Sequence, residues 1–192
     1  MKQKMIFFDL ETTGLDPKKC AIHQLAGKVL IDGKEVESFN IKLRPFENAV
    51  FEDAALETVK LTKEEIMAYP DYREGYAKFL SIVEKYVNKY DKKDKFFLAG
   101  YNIATFDIPF LRNFFLLNNN QYFGAYFWSV PIDVIILAQA YLMNYRPDMK
   151  DFKQGTVAAQ LGIALKEENL HDALYDIEIC HEIYKIVTKQ NV

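Results

Sequence analysis

Four carboxylates and one histidine stand where such groups are costly or poised. Asp9 and Glu11 close the apolar run Met5–Leu10. On a strand, residues i and i+2 face the same way, so both acids would sit side by side at the end of a buried element. There they repel each other and lose hydration. A divalent cation removes both costs, which is the hard-cation reading. The competing reading ends the strand early and leaves both acids solvated in a loop. The run that follows, Thr12-Thr13-Gly14-Leu15, favours the cation site, because small residues and a glycine admit a ligand close to the backbone. Asp107 stands just past a second apolar run, at an expected helix start, where a plain N-cap is the alternative. On the last helix Ala173, Ile177, Cys180, Tyr184 and Val187 form an apolar face, and Asp176 lies at its margin. His171 precedes Asp176 by five residues. A helix N-terminus disfavours imidazolium, so a histidine there stays neutral and can accept a proton.

These groups must be positioned by a framework, and the hydrophobic pattern describes one. Met5–Leu10 reads as a central strand. Ala21–Ile31 and Glu35–Leu43 read as two more, joined by a tight hairpin at Asp32-Gly33. Thr62 and Glu65 form a capping box that starts a short helix ending before Pro70. A helical stripe runs from Tyr76 to Tyr90. Phe96–Tyr101 is a further buried strand, followed by a helix over Ile108–Leu117 with Asp107 as its N-cap. Phe127–Ile132 is expected to be a last strand and Asp133–Asn144 a helix. Gln154–Leu161 and Asp172–Thr188 are the remaining helices. His23 reads as a strand residue and His181 as a helix-surface residue. The aromatic run Tyr122, Phe123, Tyr126, Phe127 and Trp128 reads as core rather than as a base-stacking surface.

The chain has 192 residues, 50% of them hydrophobic and 27% charged. That is ordinary globular composition, and one domain over 1–192 is the expectation. Its 24 basic and 27 acidic residues give a net charge of −3, which excludes a generally basic nucleic-acid coat protein. It does not exclude an enzyme that meets a phosphate through cations. The two cysteines, Cys20 and Cys180, fit neither a metal spacing nor a disulfide framework, so a reducing, cytoplasmic setting is expected. No signal peptide and no membrane span are expected.

Taken together, three segments resemble the DnaQ-like (DEDDh) family of 3′–5′ exonucleases. They are Phe8-Asp9-Leu10-Glu11-Thr12-Thr13-Gly14-Leu15, then Gly100-Tyr101-Asn102-Ile103-Ala104-Thr105-Phe106-Asp107, then His171-Asp172-Ala173-Leu174-Tyr175-Asp176. The resemblance implies a ribonuclease H-like α/β fold: a mixed sheet with N-terminal antiparallel strands and helices on both faces. It implies Asp9, Glu11, Asp107 and Asp176 as ligands of two Mg²⁺ or Mn²⁺ ions, with His171 as general base. Thr12, Thr13, Gly14 and Leu15 would lie against the terminal nucleotide, and Asn102 and Phe106 would shape the same pocket. The implied substrates are single-stranded DNA 3′ ends or frayed duplex ends, cut to nucleoside 5′-monophosphates in proofreading or repair, with a polymerase subunit as a partner and no membrane. Two alternatives stand beside this: an RNA-trimming, oligoribonuclease-like enzyme of the same fold, and a catalytically silent nucleic-acid-binding module. The intact set of four acids with His171 argues against the silent module.

Overall fold

The computed structural model describes residues 2–165 and 173–189. Five strands form one sheet in the order β3-β2-β1-β4-β5. β1 is Lys4–Thr12, β2 Ile22–Ile31 and β3 Lys34–Lys42, and these three pair antiparallel. The β2–β3 turn forms as the sequence implies, with Asp32 at φ 50° and Gly33 at φ 78°. β4 (Phe97–Gly100) and β5 (Ile132–Asp133) continue the sheet in parallel on the other side of β1.

Helices cover both faces. α1 (Asp53–Val59), α2 (Lys63–Met67) and α3 (Tyr72–Tyr86) follow β3, and α4 (Asp107–Leu117) follows β4. The short α5 (Phe123–Tyr126) precedes β5. α6 (Val134–Tyr141), α7 (Gln154–Gln160) and α8 (Ala173–Thr188) complete the described elements, with a 3₁₀ turn at Arg146–Asp148. Alternation along β1 separates two cores. Ile6, Phe8 and Leu10 pack with α3 and α4, among Phe79, Val83, Leu111 and Phe115. Met5 and Phe7 pack on the opposite face against Ile177, Cys180, Ile183 and Tyr184 of α8. At roughly 25 cal/mol per Å² of apolar surface, each buried aromatic of these cores contributes on the order of 2 kcal/mol.

Several elements differ from the sequence reading. Phe127–Ile132 is not a strand: only Ile132–Asp133 pairs with β4, and Phe127 makes a single bridge to Phe96. Phe123, Tyr126 and Phe127 are core residues, as their apolar character demands, while Tyr122 is exposed. Asp107 is not an N-cap. Phe106 holds that position and α4 begins at Asp107 itself, because the carboxylate is engaged by β1 instead. α1, for which the sequence reading offers no element, has no buried residue to produce an apolar stripe. His181 is not a plain surface residue, since its ring lies 4.7 Å from that of Phe7.

Candidate active site

The row Met5, Phe7, Asp9, Glu11 shares one face of β1, and that face turns from apolar to acidic as the strand approaches its end. β1 continues to Thr12, so both acids are held in the strand, not in a solvated loop. Phe7 anchors the row through a tilted ring contact with His181 and an edge-on contact with Tyr184 of α8. Asp176, five residues before His181 on the same helix, is thereby brought near Asp9 and Glu11. Its backbone carbonyl accepts a hydrogen bond from the Gln154 amide at 2.8 Å, which ties α7 to the first turn of α8.

Asp107 is delivered by the loop after β4, as the first residue of α4. It is 4% exposed, and its Oδ1 accepts from the backbone N–H of Leu10 at 3.1 Å. This bond joins the start of α4 to β1 between the two strand acids. The loop leading to Asp107 is tightly determined. A side chain at Gly100 would stand 2.8 Å from the Phe8 carbonyl oxygen, so β4 can reach β1 here only as glycine. Asn102 adopts φ 61°, a left-handed conformation that asparagine tolerates better than most residues.

The electrostatics follow from this convergence. Burial and then the charges of Asp107, Glu11 and Asp176 hold the Asp9 carboxyl well above the usual carboxylate range. Burial, Asp176 and Asp107 push Glu11 up to about 7. Burial also raises Asp107 to about 7, against the pull of its own N–H and that of Leu10. Cys180 is buried beside these acids, and burial raises its thiol, so it is an inert neighbour and not a nucleophile. The four acids supply oxygen donors only, the set that suits a hard divalent cation. Among the described residues no group of three or more His, Cys, Asp and Glu side chains forms a ready-made metal cage. Mutual repulsion of carboxylates opposes such closure without a cation.

Beside the acids lies a cleft of about 310 Å³. Leu10, Glu11, Thr12, Gly14, Leu15 and Phe106 line it together with Glu52, Ala54, Ala55, Thr58 and Val59 from the segment before α1 and α1 itself. The structure therefore brings Thr12, Gly14, Leu15 and Phe106 to one place. Leu15 projects from it, 73% exposed. Thr13 is buried beneath: its hydroxyl donates to Val50 O at 2.6 Å and accepts from Ala21 N at 2.9 Å. Asn102 lies in the β4–α4 loop, where its Oδ1 accepts from the Thr105 hydroxyl at 2.9 Å. His171 lies outside the described residues.

Two further side chains matter that the sequence reading does not single out. Asp133, at the end of β5, is 6% exposed. It accepts from the N–H groups of Asn102 (2.8 Å), Ala104 (2.9 Å) and Ile135 (3.3 Å). It thus caps α6 and clamps the loop that delivers Asp107. Its signal was present, an acid between Ile132 and Val134 at a strand–helix junction, the same anomaly that marks Asp9. Glu52 enters from the segment before α1, far from any motif.

A family model described as RNase_T, exonuclease, matches residues 6–184. The chain is 30% identical over 185 residues to a PolC-type DNA polymerase III of Clostridium perfringens, covering 96% of this chain and 11% of that protein. It is 23% identical over 184 residues to the PolC-type DNA polymerase III of Mycoplasmopsis pulmonis, with the same coverage. The chain thus spans about a tenth of the length of these relatives. Among solved structures it resembles E. coli exonuclease I in complex with a dT13 oligonucleotide. There the TM-score is 0.76 at 21% identity, over 97% of this chain and 41% of the other. The zinc-bound complex of the same enzyme with single-stranded DNA gives 0.78 at 20% identity, covering all of this chain and 41% of the other. At these identities the structural likeness speaks to the ribonuclease H-like fold.

Proposed function

We propose, from the premise that this chain belongs to the RNase_T exonuclease family, that it removes nucleotides stepwise from the 3′ ends of single-stranded or frayed DNA and releases nucleoside 5′-monophosphates. The observation that carries this reading is the convergence of Asp9, Glu11 and Asp107, from two elements, with Asp176 from a third, beside a cleft of nucleotide size that Glu11 lines. The exonuclease I structure carries an oligonucleotide and the sequence relatives are DNA polymerases, which supports DNA as the substrate and a polymerase as a partner.

Asp9, Glu11, Asp107 and Asp176 are the residues that would hold two Mg²⁺ or Mn²⁺ ions. Bound there, such ions would supply water activation and neutralise charge developing on the scissile phosphate. The chain's own part is to fix the acids on three packed elements, so that little reorganisation is needed. Phe106 and Leu15 offer apolar surface to a terminal base, and the Thr12–Gly14 backbone approaches its sugar. His171 is the proposed general base, taking a proton from the attacking water.

The test is digestion of matched 5′-labelled single-stranded DNA, duplex DNA and RNA with Mg²⁺ or Mn²⁺. A ladder shortening from the 3′ end of single-stranded DNA is expected, with closed circular single-stranded DNA left intact. Cleavage of the circle would overturn the exonuclease reading, and preference for RNA would overturn the choice of substrate.

A further inference from the structure

Glu52 is an acid in a cleft that should receive a polyanion, and its position is built. Its N–H donates to Thr13 O at 2.7 Å, next to the bond from the Thr13 hydroxyl to Val50 O. Val50 N in turn donates to Lys19 O at 2.8 Å. The segment before α1 is thereby stitched to the loop that follows β1. The Glu52 side chain then lies over Gly14: a Cβ at position 14 would stand 2.5 Å from Glu52 Cδ and 2.6 Å from Cys20 Sγ. Glycine at 14 is thus what lets the Glu52 carboxyl reach the cleft. The Cys20 thiol donates to Glu52 Oε1 at 3.5 Å, a weak bond that leaves most of the carboxylate's acceptor capacity unused. None of the ion pairs among the described residues includes Glu52.

A carboxylate so placed, beside Glu11 and Thr12 in the same cleft, repels a phosphate and accepts from a hydroxyl. A nucleic-acid 3′ end can present either group. We propose that Glu52 is a specificity-determining residue that selects a free hydroxyl over a phosphate at the strand terminus held in this cleft. The inference rests on the exonuclease reading above and adds to it the chemistry by which a terminus is accepted or refused.

The test uses three 5′-labelled oligonucleotides of one sequence, ending in a 3′-hydroxyl, a 3′-hydrogen or a 3′-phosphate, with wild type and Glu52→Gln. The amide keeps the shape, loses the charge and can donate to a phosphate. Wild type is expected to prefer hydroxyl over hydrogen and hydrogen over phosphate in kcat/KM. Glu52→Gln should narrow the hydroxyl-to-phosphate ratio by roughly tenfold or more, chiefly by gaining on the phosphate substrate. Binding to the Asp9→Asn protein, with and without Glu52→Gln, followed by fluorescence anisotropy, should show the same narrowing without turnover. A ratio within about twofold of wild type in both assays would overturn the role of Glu52. Wild type that cuts hydroxyl and phosphate ends alike would also overturn it, while leaving the exonuclease reading intact. Wild type that cuts none of the three would remove the reading on which the inference stands.

Discussion

At the scale of single residues, the clustering of the acids costs stability in the absence of a cation, and the cost can be measured. An acid raised in the folded state binds its proton more tightly there. Its penalty is therefore absent below the unfolded pKa, grows as pH rises and levels off above the folded value. For Glu11, raised from 4.5 to about 7, the penalty amounts to ~3 kcal/mol at pH 8 and under ~1 kcal/mol at pH 5. Glu11→Gln should accordingly stabilise the metal-free protein at pH 8 much more than at pH 5 in urea unfolding; an equal effect at both would contradict the clustering. Asp9→Asn should abolish nearly all nuclease activity. Asp133→Asn weakens a clamp and removes none of the proposed ligands, so its loss should fall in the roughly 10–100-fold range of supporting residues. If the two variants lose activity equally, Asp133 does more than position the loop. For the proposed base, His171→Ala should lower kcat and kcat/KM together by roughly 10²–10⁴. Weakened Mg²⁺ binding as the whole cause of the loss would assign His171 a structural role.

At the scale of elements, the decisive irregularity is in β2. Glu11 pairs with Gln24 but Thr12 pairs with Ile22, so His23 is an extra residue inserted opposite the junction of the first motif. Such bulges bend a strand and increase its twist, here where β1 must end and turn into the Thr12–Leu15 loop. His23 is 1% exposed and neither ring nitrogen has a hydrogen-bond partner. Burial, reinforced by Lys42, lowers its pKa to about 4. A base depressed in the folded state resists protonation that the unfolded chain accepts, so stability is lost as pH falls from 6.5 towards 4. His23→Leu should remove that loss. Its stability relative to wild type should improve by about 2 kcal/mol between pH 7 and pH 4.5. The acid cluster works in the opposite sense over this window, so the comparison of the two proteins is the informative quantity, and parallel pH profiles would show that His23 is not the titrating group.

At the scale of the whole molecule, a net charge of −3 must be reconciled with the polyanionic substrate proposed above. Among the described residues lining the cleft there is no lysine, arginine or histidine. Long-range attraction is therefore weak, and affinity should depend on divalent cations more than on phosphate contacts from basic side chains. In anisotropy titrations of Asp9→Asn, which should leave labelled single-stranded DNA uncut, chelation should cost more affinity than raising monovalent salt from about 50 to 200 mM. The salt step alone should cost less than the ~10³-fold or greater loss typical of proteins with many phosphate contacts. A steep salt dependence in the presence of chelator would reveal a basic track elsewhere on the surface. No described helix is long and apolar enough to cross a membrane.

What the sequence determined by itself was the local chemistry. An acid closing an apolar strand, a second at Glu11 on the same face, an aspartate after the next buried strand and another at the edge of the last helical stripe are anomalies of burial, and burial is written in hydrophobic period. The Asp32-Gly33 hairpin and the Thr62–Glu65 capping box formed as read because their bonding is contained within a few residues. Tertiary structure alone decided the rest. The strand expected at Phe127–Ile132 shrank to Ile132–Asp133 because pairing depends on what β4 offers, not on the apolar run itself. Asp107 left the N-cap role because the Leu10 N–H, 97 positions earlier in the chain, competes for its carboxylate. Asp133 and Glu52 acquired their places from partners distant in sequence, Asn102 and Ala104 for one and Thr13, Gly14 and Cys20 for the other. No spacing along a chain records which backbone groups will be left needing an acceptor once the sheet has closed.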